Sequence, residues 1–174
     1  AAAVCVTFSG GALAQGSYPA KPLRLIVPFT PGGGADILAR LVVQRLADPL
    51  KQSVVVDNRP GAAGIVGTEL VAKSPPDGYT MLMGAPGLAI NPSLYVRLPY
   101  DTLRDLVPVS LVGAVPNLVV VHPSVPVKNI KELTALARSK PGRLNYASPG
   151  RGTSLHFAAE LFRSRTGIDI VHVA

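Results

Sequence analysis

An α/β fold with a mainly parallel sheet is what this sequence predicts, on three observations. Short apolar, β-branched runs alternate along the chain with stretches of helical period. Proline- and glycine-rich turns punctuate that alternation. The first strand passes through a glycine turn straight into a helix, and strands alternating with helices imply parallel pairing with right-handed crossovers. The 174 residues, 48% of them hydrophobic, suffice for one domain or parts of two.

The first element covers residues 23–29, apolar except for Arg24, with Ile26 and Val27 favouring an extended backbone. Pro31 and three glycines, Gly32, Gly33 and Gly34, follow. The period then changes: Ile37, Leu38, Leu41, Val42 and Leu46 are expected on one side of a helix. Bare N–H groups at a helix start, the helix dipole and the close approach that glycine permits together make an anion site. A tight strand-to-helix connection explains the same glycines, and a nucleotide loop is a further alternative. No Gly-Lys-Ser or Gly-Lys-Thr follows, which excludes a P-loop, and the spacing is not G-x-G-x-x-G. Asp57, at the end of a second apolar run, keeps a dinucleotide fold as a rival.

The later elements continue the alternation. Residues 53–57 read as the second strand, and a turn at Pro60-Gly61 leads to a glycine-rich helix over 62–73. Pro75-Pro76-Asp77-Gly78 is a turn before a third strand at 79–83. Residues 84–100 are irregular, with a short helical turn opened by Asn91-Pro92. The apolar stretches 106–112 and 118–122 read as strands. Ile130, Leu133, Leu136 and Ala137 face one way in a helix over 127–140, which Pro141-Gly142 ends. Residues 144–147 read as a strand, 148–152 as a second glycine loop, 153–165 as a helix, and 168–174 have strand character.

That second loop repeats the logic of the first. Thr153 and Ser154 are natural cap or first-turn residues, and their hydroxyls could also reach a bound carboxylate. Two such helix starts suggest two half-sites facing a common crevice.

Composition narrows the ligand class. The net charge is +7, yet the 17 lysines and arginines are scattered singly, without the clustering and aromatic interleaving of a nucleic-acid binder. A diffuse positive field suits small anions. The first fourteen residues carry no charge and read as the apolar core of a secretory signal, with Ala12-Leu13-Ala14 as the cleavage site before Gln15. Cys5 falls inside that segment, so the exported part would contain no disulfide. No apolar run is long enough to span a bilayer.

The runs PFTPGGGAD, VDNRPGAAGIVGTELVAKSPPDGYTML, INPSLYVRLPYD, NYASPGRGTSLHFAAELF and GIDIVHVA occur in this order. In these the chain resembles the substrate-binding proteins of tripartite tricarboxylate transporters, the Bug family, from about Tyr18 to Ala174. The resemblance implies a periplasmic-binding-protein-like fold: two α/β lobes with mainly parallel sheets around a cleft, the second lobe truncated. On that basis residues 1–14 are a signal remnant, 15–110 the first lobe and 111–174 the start of the second. It implies capture of a small carboxylate by two strand-to-helix loops, with residues 85–91 lining the distal cleft. Carried onto this chain, the ligand-binding set is Thr30, Gly32, Gly33, Gly34, Asp36, Ala85, Asn91, Gly152, Thr153, Ser154 and His156. Arg151, inside the second loop, departs from the family pattern and either pairs with a second carboxylate or points into solvent.

Several of these residues have plainer readings. Asp36 is an acid at an anion site and is expected to accept N–H bonds within its own loop, with contact to a ligand amino group as the alternative. Asn91 reads as a helix cap as readily as a ligand contact. His122, His156 and His172 lack metal-ligand spacing, so neither metal nor cofactor is expected. No G-x-S-x-G elbow surrounds Ser154, and no catalytic residue is assigned. Tyr79, Tyr95 and Tyr100 read as packing residues. The expectation is a monomeric periplasmic receptor, not an enzyme, that closes on a carboxylate about a hinge near 107–117 and delivers it to membrane transporter subunits. A sensory module with the same cleft, or an α/β enzyme binding a phosphorylated or dinucleotide ligand, are the rivals.

Overall fold

The structure, a computed structural model, describes residues 18–173. The expected signal segment with Cys5 and Ala12-Leu13-Ala14, and Ala174 at the other end, lie outside the described residues. β1 (Leu23–Val27) leads through the glycine turn into α1 (Gly34–Leu50), and β2 (Val54–Asn58) follows. A 3-10 turn (Ala62–Gly64) precedes α2 (Ile65–Ala72), then β3 (Thr80–Leu82) and α3 (Gly87–Leu94). Residues 95–129 hold turns and bends but no helix or strand. α4 (Ile130–Ser139), β4 (Asn145–Ala147), α5 (Ser154–Thr166) and β5 (Val171–Val173) complete the order.

Every strand pair is parallel, in a three-stranded sheet of order β2-β1-β3 and a two-stranded sheet β4-β5. β1 lies at the centre, with Leu25 opposite Val56 on one side and Met81 on the other. Its residues alternate between two covered faces, as a buried parallel strand requires. Leu23, Leu25 and Val27 join Val54, Met83 and Ala39 of α1 in the core, against which Leu38, Val43, Leu46 and Leu50 pack. Ile26 is fully buried, and α2 packs on β1 and β3. α2 comes so close that a Cβ on Gly67 would lie 2.8 Å from the Pro28 side chain and 2.9 Å from the Arg59 carbonyl, so only glycine fits there.

Helices α1, α2 and α3 differ from expectation. The buried arc of α1 is centred on Ala39, so Ile37 and Leu41, about 200° away from it at 100° per residue, are half exposed on the opposite side. α2 starts at Ile65 and not at 62, because Ala62, Ala63 and Gly64 all take positive φ and break the helix before it begins. α3 runs from Gly87 to Leu94, where only a short turn at Asn91-Pro92 was expected. Pro92 cannot donate to the Leu88 carbonyl, and the Thr102 hydroxyl donates to it instead, at 3.4 Å.

The strands expected at 106–112 and 118–122 are absent. Val107, Val109, Leu111, Leu118 and Val120 are more than three-quarters exposed. β-branched composition describes fit to a half-buried sheet, and no ladder partner for these residues lies among the described residues. α4 begins at Ile130, three residues later than expected, because Asn129 caps it. Asn129 Oδ1 accepts from the Glu132 N–H at 3.0 Å, and Glu132 Oε2 accepts from the Lys128 N–H at 2.7 Å. Among the described residues no helix is long and apolar enough to cross a membrane.

Candidate functional site

The strand order places the site. The chain leaves β1 for β2 on one side, then crosses to β3 on the other, so direction reverses at the carboxyl end of β1. In open α/β sheets ligands occupy the crevice outside the strand ends at such a switch point. Here that crevice lies between the loop at 28–33 and the loop at 83–86.

In the first loop Gly33 caps α1 in an extended conformation, with no side chain accepting from the helix start. Thr30, Pro31, Gly32 and Gly34 are exposed. Gly32 turns its N–H inward, donating to Asp36 Oδ2 at 2.9 Å. The same oxygen accepts from Arg40 Nε at 3.0 Å, and Asp36 Oδ1 accepts from Asn58 Nδ2 at 3.0 Å. Asn58 Nδ2 also donates to the Phe29 carbonyl at 3.1 Å, which ties the end of β2 to the loop. Asp36 therefore has the structural role expected of it: a buried carboxylate that shapes the turn. The Arg40 guanidinium, then the Gly32 N–H and Asn58, hold its carboxyl far below the usual carboxylate range. Arg40 is raised in return by Asp36.

In the second loop Thr153 is the N-cap of α5. Its Oγ1 donates to the Gly150 carbonyl at 2.8 Å and accepts from the His156 N–H at 3.3 Å. Ser154 is the first helical residue, and its carbonyl accepts from Asn117 Nδ2 at 3.4 Å. His156 sits on the first turn, where burial, then the neighbouring His172, lowers its pKa against the opposing pull of Glu160. Arg151 is exposed.

Asn91 connects the two loops. It lies inside α3, so the cap reading is overturned: a residue within a helix has its N-terminal neighbours already in helical bonds. It is 2% exposed, and its Oδ1 has no hydrogen-bond partner. Gly152 of the second loop packs directly on it, at φ +86°, and a Cβ there would meet Asn91 Oδ1 at 2.9 Å and Ala63 and Leu94 at 3.3 Å. A cavity of about 10 Å³ borders Asn91, lined on the first-loop side by Pro28 and Phe29 and elsewhere by Ala63, Thr68, Ala85 and Leu88. The structure thus gathers Ala85, Asn91 and Gly152 around one point, with the base of the first loop beside them.

Ala63, Thr68 and Gly87 at this junction were not singled out from sequence. The run Ala62-Ala63-Gly64 was read as the start of a helix, and its left-handed turn brings Ala63 under both Gly87 and Gly152. A larger, open concavity of about 490 Å³ lies along β1 and β2, between Pro22 and Asn58. It is remote from the second loop, and its charges are already matched: Asp57 bonds Arg24 Nε at 2.8 Å and pairs with Arg59 Nε at 3.0 Å. Those partners, Arg24 first, depress the Asp57 pKa and occupy the carboxylate that a dinucleotide reading would turn to a ribose. Tyr100 is buried, and Tyr79 packs edge-on against Tyr18 at 5.0 Å, as packing residues do. Among the described residues no three His, Cys, Asp or Glu side chains group to hold a metal ion.

Parallel sheets and a switch-point crevice define an α/β fold, and solved structures of similar shape include a periplasmic transporter and a periplasmic binding protein. The chain aligns with R. palustris Rpa4515 with adipate at a TM-score of 0.84 and 41% identity, covering 90% of this chain and 52% of that one. Periplasmic binding protein BugD aligns at 0.76 and 30% identity, covering 90% and 52%. MatC from Rhodopseudomonas palustris with bound malate aligns at 0.77 and 27%, covering 90% and 53%. In sequence the chain is 44% identical to protein BugT of Bordetella pertussis over 156 residues, 88% of this chain and 48% of that protein. The model of the tripartite tricarboxylate transporter family receptor matches residues 38–174, and the chain belongs to that family. It spans about half the length of the relatives it matches.

Proposed function

We propose that this chain supplies the ligand-gathering part of a periplasmic receptor for a small carboxylate, acting in binding and not in catalysis. The observation that carries the reading is the cap of α1: a helix start at the switch point whose first-turn N–H groups have no side-chain acceptor. Backbone N–H groups there and the helix dipole favour an anion. Because Gly32 donates to Asp36, the donors left in the first loop belong to Gly33 and Gly34, with Thr30 at the rim. The second loop adds the start of α5 at Ser154, held in shape by Thr153, whose hydroxyl accepts from the His156 N–H. Asn91 Oδ1 accepts from a ligand hydroxyl or from a water, since a cavity of about 10 Å³ has the size of one water. The adipate and malate held by two similar structures support a carboxylate as the ligand class.

Residues 15–110 form the first lobe in this reading, 111–174 begin the second, and the extended stretch at 107–117 is the hinge. Membership of the transporter receptor family supports delivery to transporter membrane subunits as part of this reading. A thermal-shift screen of the full-length gene product against mono-, di- and tricarboxylates, amides and nucleotides tests the ligand class. A carboxylate at 100 times its Kd is expected to stabilise by about 2.7 kcal/mol. Stabilisation by nucleotides alone overturns the reading.

A further inference from the structure

Behind the second glycine loop lies a cluster of titratable side chains that ligand contacts alone do not explain. β4 and β5 pair so that Tyr146 stands opposite His172, and their rings stack with centroids 4.9 Å apart at 28°. His156, from the first turn of α5, closes on His172 at 4.7 Å. Tyr146 donates its hydroxyl to Glu160 Oε1 at 2.5 Å, and Arg163 pairs with the same carboxylate at 3.3 Å. Ser148 Oγ lies 2.7 Å from His172 Nε2 and accepts from the Gly150 N–H at 3.3 Å. His172 therefore reaches the loop through a single hydroxyl.

We propose that the His172–His156 pair takes up one proton together with the ligand, so that the second glycine loop holds a carboxylate more tightly as pH falls through the histidine range. The inference rests on the carboxylate-receptor reading. Two imidazoles in ring contact repel each other when both are charged, so one charge on the pair opposes a second. With His172 neutral, Ser148 donates to its Nε2. With His172 protonated, Nε2–H donates to Ser148, whose hydroxyl hydrogen turns to the Gly150 carbonyl 3.4 Å away. The loop keeps its hydrogen bonds in both states. What changes is a positive charge beside an anion-ready helix start.

The groups facing the pair set its balance. Tyr146 stays neutral, its pKa pushed up to about 12 by burial and Glu160. Glu160 favours the charged imidazole, whereas burial, Arg151 and Arg163 oppose it at His156. A bound carboxylate offsets the opposing cations, so proton and anion each favour the other by the same factor.

Calorimetric titration of the full-length gene product with adipate and with malate, at about pH 6 and about pH 8, reads the effect across the histidine range. Binding is expected to be about three- to tenfold tighter at the lower pH, the scale of one added charge in a partly screened site. In His172→Gln the ratio is expected to shrink to under about twofold. Proton NMR of the imidazoles needs no variant: their apparent pKa is expected to rise when adipate saturates the protein. A pH ratio unchanged in His172→Gln, or imidazoles that ignore adipate, overturns the proposal alone. Absence of binding by both acids at either pH overturns this proposal, whereas the receptor reading falls only if the wider carboxylate screen fails as well.

Discussion

Asp36 is an acid in a loop proposed to hold an acid, and its own hydrogen bonds resolve the conflict. Ionised, it accepts from Gly32, Arg40 and Asn58. Its folded pKa lies below an unfolded value of about 3.9. The contribution to stability is therefore complete above that value and is lost as pH falls through the folded pKa. Thermal melts of Asp36→Asn are expected to show a lower Tm at neutral pH and a shallower fall below about pH 4. An unchanged acid slope would contradict the role. Gly152→Ala places a Cβ 2.9 Å from Asn91 Oδ1 at a positive φ, and a loss of about 1–3 kcal/mol is expected in urea unfolding. A Cβ at Gly33 meets only the Thr30 carbonyl, at 3.5 Å, so the stability of Gly33→Val should stay within about 1 kcal/mol while ligand affinity falls at least about tenfold. Asp36 and Thr153 were legible in the sequence because most of their partners lie within four residues. Asn91 was not, since its burial depends on Ala63 and Gly152, far away along the chain.

Elements between 23 and 82 were legible because each carries its own period and its partner strands are nearby. The strand runs, the glycine turn and the helix that follows agree at every level. Ile26→Ala, at a fully buried position of the central strand β1, is expected to cost about 2–5 kcal/mol in urea unfolding. Asn129→Ala removes the bonds of the Asn129 side chain to the Glu132 N–H and carboxylate and should cost about 1 kcal/mol, with the loss seen in the helical signal of α4. A change within experimental error would show that α4 is held by packing alone. Residues 106–112 and 118–122 were misread because β propensity reports burial and pairing, which the side chains there lack among the described residues. The face of α1 was misread for a related reason: Ile37 and Leu41 are apolar, yet the helix is oriented by Ala39 against β1.

For the whole molecule, the order β2-β1-β3 converts a local glycine turn into a crevice, because only topology decides which strand ends lie together. Alternation of strands and helices made the parallel pairing legible, and the family motifs made the class legible. The meeting of Gly152 with Asn91 and Ala63 was not legible, since it depends on a left-handed turn at Ala62 and Ala63 that composition does not signal. The central claim is that two helix starts, at Gly33-Gly34 and at Thr153-Ser154, hold one carboxylate. Backbone amide shifts of the full-length gene product during titration with adipate or malate test it most directly. The account predicts that the amides of Gly33, Gly34, Ser154 and His156 move together and saturate at one equivalent. Shifts confined to one loop, or to the β1–β2 concavity around Asp57, would contradict it.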